Sequence, residues 1–187
     1  VSIPITIYNS YEINIISILL NIILVPIISI IILPLTILTY IFPILDSILY
    51  LFTNTLETIS LFISKINITK IIFPKPSLLI IVLYYIIFLL SYQNKKYFYL
   101  NILLLIIIYI SPYLNSNFEV VMFEVGEADC HLIKYPYNKN TILIDTGKNE
   151  YKIKNEVIPY LKSIGIKKID YLIITHGDED HIGGSIT

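Results

Sequence analysis

Between Glu12 and Asp46 the chain carries no charged residue. Inside that gap, Ile13–Phe42 is longer than the roughly 20 apolar residues a helix needs to cross about 30 Å of hydrocarbon. A soluble domain has little use for such a run, so a membrane segment is the default reading. Asn21, Pro26, Ser29 and Pro34 interrupt it. Proline removes a bond from the helical ladder, and in hydrocarbon the freed carbonyl must be satisfied by protein or by a water-lined cavity. Kinks near Pro26 and Pro34, or a broken helix, are therefore predicted. An ordinary kinked helix and a pore-lining helix both fit this pattern.

The remainder of the N-terminal part is also apolar but is differently patterned. Val1 to Tyr11 is punctuated by Ser2, Pro4, Thr6, Asn9 and Ser10, and reads as the end of an earlier span or a re-entrant stretch. Across Leu45–Ile68, apolar residues recur at three- and four-residue spacing, with Asp46, Asn54, Glu57, Ser64 and Lys65 between them. This predicts an amphipathic helix, lying in the membrane interface or packed on a bundle. Pro74-Lys75-Pro76 stops it. Ser77–Tyr92 and Tyr97–Ile110 are two short spans joined by a polar turn at Asn94-Lys95-Lys96, the second closed by Ser111-Pro112. Tyrosines such as Tyr84, Tyr92, Tyr97, Tyr109 and Tyr113 sit near the ends of these spans, as an aromatic belt would. Lysines lie on both sides of the pair, so charge counting does not orient it.

The composition changes at about Tyr113. Over the whole chain hydrophobic residues make up 56% and mean hydropathy is +0.76, but most charges follow Ser116. The division read from this is a helical membrane region over residues 1–111, a linker over 112–117 and a soluble domain over 118–187. A net charge of −1 gives no electrostatic case for nucleic acid over the chain as a whole. The single cysteine, Cys130, has no internal disulfide partner and reads as a small apolar residue on a strand. Val1 is not an initiator methionine and His181 stands six residues from the last, so both ends read as cut and a longer protein is expected.

In the soluble part, Phe118–Val125, Cys130–Tyr135 and Thr141–Asp145 read as strands, and Pro136–Asn140 as a hairpin-like loop. Glu150–Ser163 has helical spacing interrupted by Pro159, with Gly165 as its cap. Asp170–Thr175 reads as a buried strand. It runs into Thr175-His176-Gly177-Asp178-Glu179-Asp180-His181-Ile182-Gly183-Gly184, which holds two of the chain's 3 histidines. A strand ending in such a loop gathers His176, Asp178, Asp180 and His181 around one point. Imidazole and carboxylate together suit zinc, manganese or iron. Glu179 is expected to face solvent, and His131 to be a surface or core histidine.

This loop resembles the His-x-His-x-Asp-His signature of the metallo-β-lactamase fold, with Asp178 at the second histidine position. Ile142–Gly147 resembles the strand and aspartate that precede the signature in that fold. Phe123-Glu124-Val125-Gly126-Glu127-Ala128-Asp129 resembles the Asp-Val-Gly-Gln-Gly-Asp opening of the ComEC-type competence proteins, with Glu124, Glu127 and Ala128 as departures. Tyr160–Asp170 fits the same branch, and Asn21-x-x-x-x-Pro26 resembles its membrane domain. The resemblance implies the N-terminal half of an αβ/βα metallo-β-lactamase fold behind an α-helical transmembrane region.

It further implies a pair of divalent metals, zinc or manganese, in the full-length parent. His176 and Asp178 would serve the first, Asp180 and His181 the second, with Asp145 orienting a ligand from behind. No catalytic side chain beyond the ligands is implied. The ComEC-type family is implied to carry single-stranded DNA across the inner (cytoplasmic) membrane of bacteria during natural transformation. Its outward-facing domain is implied to degrade the other strand, with other competence proteins as partners. Such a fragment alone is expected to be inactive. Two other readings stand beside this one: a membrane-anchored hydrolase of a non-nucleic-acid substrate, and a channel or scaffold whose appended domain has no chemistry.

Overall fold

The computed structural model describes residues 2–64, 70–126 and 128–185. The end of the expected Leu45–Ile68 helix, Glu127 of the 123–129 opening, and the last two positions of the expected soluble domain lie outside them. The chain forms two compact units, Asn14–Ile71 and the pair of stretches Val1–Ile13 and Ile72–Thr187.

Asn14–Ile71 is helical. Helix α2 (Ile15–Ile27) passes through a π-helical turn (Ile28–Ile32) into α3 (Leu33–Ile41). Pro26 lies inside α2 and Pro34 in the first turn of α3, so the π-turn falls between the two prolines. The helix is not broken there. It changes its hydrogen-bond step, one of the few ways a helix absorbs ladder groups that proline leaves unpaired. Ser29 Oγ donates to the Val25 carbonyl at 2.8 Å, which keeps the hydroxyl satisfied within the helix. Ile18–Ile41 is 24 residues with mean hydropathy 2.9, long and apolar enough to cross a membrane, and none of it is buried. After a 3-10 turn at Pro43–Leu45 comes α4 (Asp46–Ser64), at the place the amphipathic spacing predicts.

The other unit begins with α1 (Ile3–Ser10), closed by Tyr11 in the left-handed region at φ 57°. Short strands β1 (Glu12–Asn14) and β2 (Lys70–Ile72) mark where the chain leaves this unit and returns. Helices α5 (Leu78–Ser91) and α6 (Lys96–Leu114) form the expected hairpin. Ser77 caps α5, and the Asn94 side chain accepts from the Lys96 N–H at 3.0 Å in the turn. At 14 residues α5 is about 21 Å long, short of the hydrocarbon thickness. Helix α6 does not close at Ser111-Pro112 as the sequence suggests. It continues to Leu114, because Ser111 Oγ donates at 2.8 Å to the Ile108 carbonyl, the acceptor that Pro112 leaves without an N–H. Its 19 residues also meet the length and hydropathy of a membrane span.

The αβ part is a four-stranded sheet in the order β3 (Glu119–Met122), β4 (His131–Lys134), β5 (Thr141–Ile144), β6 (Tyr171–Ile173). The β3–β4 and β4–β5 pairs are antiparallel and β5–β6 is parallel. The β4–β5 loop carries Tyr137 and Asn138 at φ 60° and 50°. Alternation places Leu132 and Leu143 opposite one another on one face. There they join Val125, Cys130, Ile153, Val157, Leu161 and Ile166 in the core. The covering helix runs from α7 (Glu150–Lys152) through a π-turn (Ile153–Val157) to α8 (Ile158–Ser163), so Pro159 is again accommodated beside a π-turn. Gly165 ends it as predicted, at φ +78°, with Ile166 N–H reaching the Leu161 carbonyl at 2.9 Å. A Cβ at Gly165 would lie 2.4 Å from Pro112 Cγ, so glycine also permits the close approach to α6.

The strand expected to be buried, Asp170–Thr175, is corrected. Tyr171, Leu172 and Ile173 are all exposed, because β6 is the outermost strand of the sheet among the described residues. An apolar run states what a strand prefers to bury and not what covers it. Cys130 is fully buried, and burial followed by the charge of Asp145 pushes its thiol up to about 12, so it is a packing residue.

Candidate metal centre

Strands β5 and β6 run in parallel and end at the same level, which places Asp145 beside Thr175. Asp145 adopts φ 56°, a conformation aspartate tolerates better than most residues, and it is 2% exposed. Its Oδ1 accepts the Thr175 N–H at 2.8 Å and its Oδ2 accepts the Thr175 hydroxyl at 2.8 Å. His181 Nδ1 also lies 2.8 Å from Oδ2, where it donates to the carboxylate. Burial pulls the Asp145 carboxyl upward. The Thr175 N–H, His181 and the Thr175 hydroxyl together outweigh that and hold it below its ordinary value. Asp145 in turn raises His181, against the opposing effect of burial, with smaller contributions from Asp180 and Asp129.

The histidine is delivered by α9 (Glu179–Ile182), a single turn that starts at Asp178. Its backbone is tied back to the end of β5: the His181 carbonyl accepts both the Thr146 N–H at 2.8 Å and the Thr146 hydroxyl at 3.1 Å. The following Gly184 bonds Gly147, and a Cβ there would sit 2.4 Å from Ile153 Cγ1 and 2.6 Å from the Thr146 carbonyl. Glycine at 184 is thus what lets the loop press onto the core and bury His181.

Three of the four candidate ligands come together. Donor atoms of His176, Asp180 and His181 all lie within 4.8 Å of one another. The two imidazole rings have centroids 3.6 Å apart, and Asp180 Oδ2 is 3.5 Å from His181 Nε2. Asp178 falls outside that group; its carboxylate is 3.5 Å from His176 Nε2 and faces solvent. Glu179 is exposed, as its place in the loop suggests. His131 stands on β4 with Nε2 3.8 Å from Asp129.

The donor set fits a divalent cation. Nδ1 of His181 is committed to Asp145, which fixes the ring and leaves Nε2 toward Asp180 and His176. A carboxylate behind a histidine both orients it and increases the basicity of the free nitrogen. Imidazole with carboxylate is a zinc or manganese set. Sequence reasoning did not single out Asp129, whose charge reaches His181, or Thr175, which holds Asp145 through two bonds. The Asp at the end of the 123–129 opening was the available signal for the former.

The αβ part with this loop defines a class: residues 124–186 match the metallo-beta-lactamase superfamily. Residues 1–96 match the competence protein family, and the chain belongs to that family. It is similar to ComE operon protein 3 of Bacillus subtilis (strain 168), 36% identical over 90 residues, a match covering 41% of this chain and 12% of that protein. The chain therefore spans only a small part of the length of its curated relative. No solved structure matches.

Proposed function

We propose that the chain is a segment of a DNA-uptake protein in a bacterial cytoplasmic membrane, working as the ComEC-type resemblance implies. The apolar helices contribute to a path for single-stranded DNA. The αβ part contributes half of a metal-dependent nuclease that faces outward and degrades the strand that is not carried. The observation that supports this best is the Asp145–His181 pair, a buried carboxylate fixing a histidine whose other nitrogen faces a second histidine and an aspartate.

His176 with Asp178 would hold one cation and Asp180 with His181 another. Bound there, divalent cations would supply a Lewis acid for a phosphoryl oxygen and lower the pKa of water. This chain's own residues do the positioning. Asp145 and Thr175 hold the His181 ring, and Thr146 holds the α9 backbone. Pressing α9 onto the core keeps His181 away from bulk water.

The experiment uses the full-length parent. His176→Ala or Asp180→Ala is expected to abolish metal-dependent strand degradation and to lower bound metal, with the protein still in the membrane. Loss of one ligand opens the coordination shell. Metal content and degradation both at the parental level in His176→Ala would sink the metal reading.

A further inference from the structure

At the opposite end of β5 and β6 from the metal centre, a recess of about 300 Å³ opens beside the C-terminal turn of α6. Tyr113, Asn138, Lys139, Lys167, Lys168 and Asp170 line it. Thr141, at the start of β5, is also in its wall, about 13 Å along the strand from Asp145. The two sites are therefore separate.

The recess is electropositive. Lys168 is paired with Asp170 at 2.8 Å, which leaves Lys139 and Lys167 in excess. Lys167 rests on aromatic groups: its Nζ is 2.5 Å from the Tyr109 hydroxyl, 4.0 Å from that ring's centre and 5.3 Å from the Tyr113 ring. Lys139 lies at 5.9 Å over Tyr137.

The position narrows the ligand. Tyr109 and Tyr113 belong to the last turns of α6, one of the helices long and apolar enough to cross a membrane. Tyrosines at the end of such a span sit at headgroup depth. Lysine binds phosphate as a point charge, and basic pockets beside membrane helices suit anionic headgroups. A nucleic-acid strand would need an elongated basic groove, whereas this recess has the size of one headgroup. We propose that the recess holds the phosphate of an anionic phospholipid, with Lys139 and Lys167 as its counter-charges. This rests on the reading of α6 as a membrane span.

The test places the 187-residue chain in phosphatidylcholine nanodiscs containing a minor fraction of phosphatidylglycerol. Native mass spectrometry then reads the phosphatidylglycerol retained. Lys139→Gln/Lys167→Gln is expected to bind it about tenfold or more weakly than the parent, while Lys148→Gln/Lys154→Gln retains it. Lys139 is exposed on a loop, so Lys139→Gln alone keeps the fold and is expected to weaken retention about fivefold. Undiminished retention in both recess variants overturns the proposal. So does phosphatidylglycerol failing to stay bound while inorganic phosphate or a single-stranded oligonucleotide binds with the same lysine dependence. Alkaline extraction of the same samples separates the two readings. A chain released from the bilayer defeats the membrane reading. A chain that stays but shows no lysine-dependent lipid defeats the recess alone.

Discussion

The helical run Ile15–Ile41 and the sheet β3–β6 are built from the same kinds of apolar residue and use them in opposite ways. Ile30 in the run is 72% exposed, while Leu132 in the sheet is fully buried. Their polar side chains differ as sharply. In and beside the run, Ser29, Thr36 and Thr39 each donate to the carbonyl four residues earlier in the same helix. In the αβ part, Thr141 reaches Asp170, Thr175 reaches Asp145 and Thr146 reaches His181. A hydroxyl bonded within its own helix fixes nothing beyond that helix. A hydroxyl inside a folded domain can bridge distant segments and fix their relation. The difference explains why the chemistry-bearing cluster belongs to the αβ part, where side chains tie segments distant in the sequence.

The most forceful way to break the comparison is to put a charge at equally exposed positions in both regions. Ile30 and Met122 are 72% and 75% exposed. Ile30→Asp is expected to oppose membrane insertion by about 3–4 kcal/mol, whereas Met122→Asp should cost almost nothing. The fraction of chain resisting carbonate extraction measures both. Equal behaviour would mean that exposure in the run is exposure to water.

Truncation makes the converse test. Leu132→Ala removes a fully buried side chain from the sheet core and is expected to destabilise the αβ part by about 3 kcal/mol. Ile22→Ala, at a position 68% exposed on α2, leaves no cavity and should change unfolding little. Urea midpoints followed by near-UV circular dichroism from the tyrosines would read both.

The polar bonds should separate as well. Asp145→Asn keeps the shape but replaces the charged partner of His181, so zinc affinity is expected to fall about 10–100-fold, read by titration calorimetry. Thr36→Val removes a hydroxyl whose carbonyl partner lies in a continuous helical stretch, and is expected to leave membrane integration and zinc affinity unchanged. An unaltered zinc isotherm in Asp145→Asn would show that His181 does not depend on its buried partner.

The metal loop was legible because its ligands are nearly contiguous, so one strand end suffices to gather them. Asp145 lies far from it in the chain, and only the resemblance to a known fold pointed there. The hairpin α5–α6, the Gly165 cap and the β3–β5 strands carry local signals and could be read directly. The prolines showed where the helices are disturbed, but not that π-turns resolve Pro26, Pro34 and Pro159. That choice depends on which carbonyls find donors, as Ser111 shows by letting α6 pass Pro112. The exposure of β6 and the pairing of buried Lys134 with half-buried Glu119 at 3.1 Å depend on neighbours in space, which no local pattern states.

The smallest expected effect concerns a bridge far from the metal centre. Asp170 Oδ2 accepts the Thr141 N–H at 2.9 Å and its hydroxyl at 3.1 Å, closing the start of β5 onto the start of β6. The bond from Lys168 is the largest cause holding the Asp170 carboxyl below its ordinary value, and the bonds from Thr141 add to it, against a small opposing effect of burial. A carboxyl depressed in the folded state binds fewer protons there than in the unfolded chain. Its contribution is therefore fully present above the unfolded value of about 4 and is lost as pH falls through the lower folded value. Asp170→Asn removes this titration and keeps an acceptor for Thr141. The variant should be slightly less stable than the parent at pH 6, and the gap should close as pH drops below about 4. Denaturant midpoints of the αβ signal at a series of pH values measure it. A gap that stays constant from pH 6 to strong acid would show that the bridge acts through shape and hydrogen bonding and not through its charge.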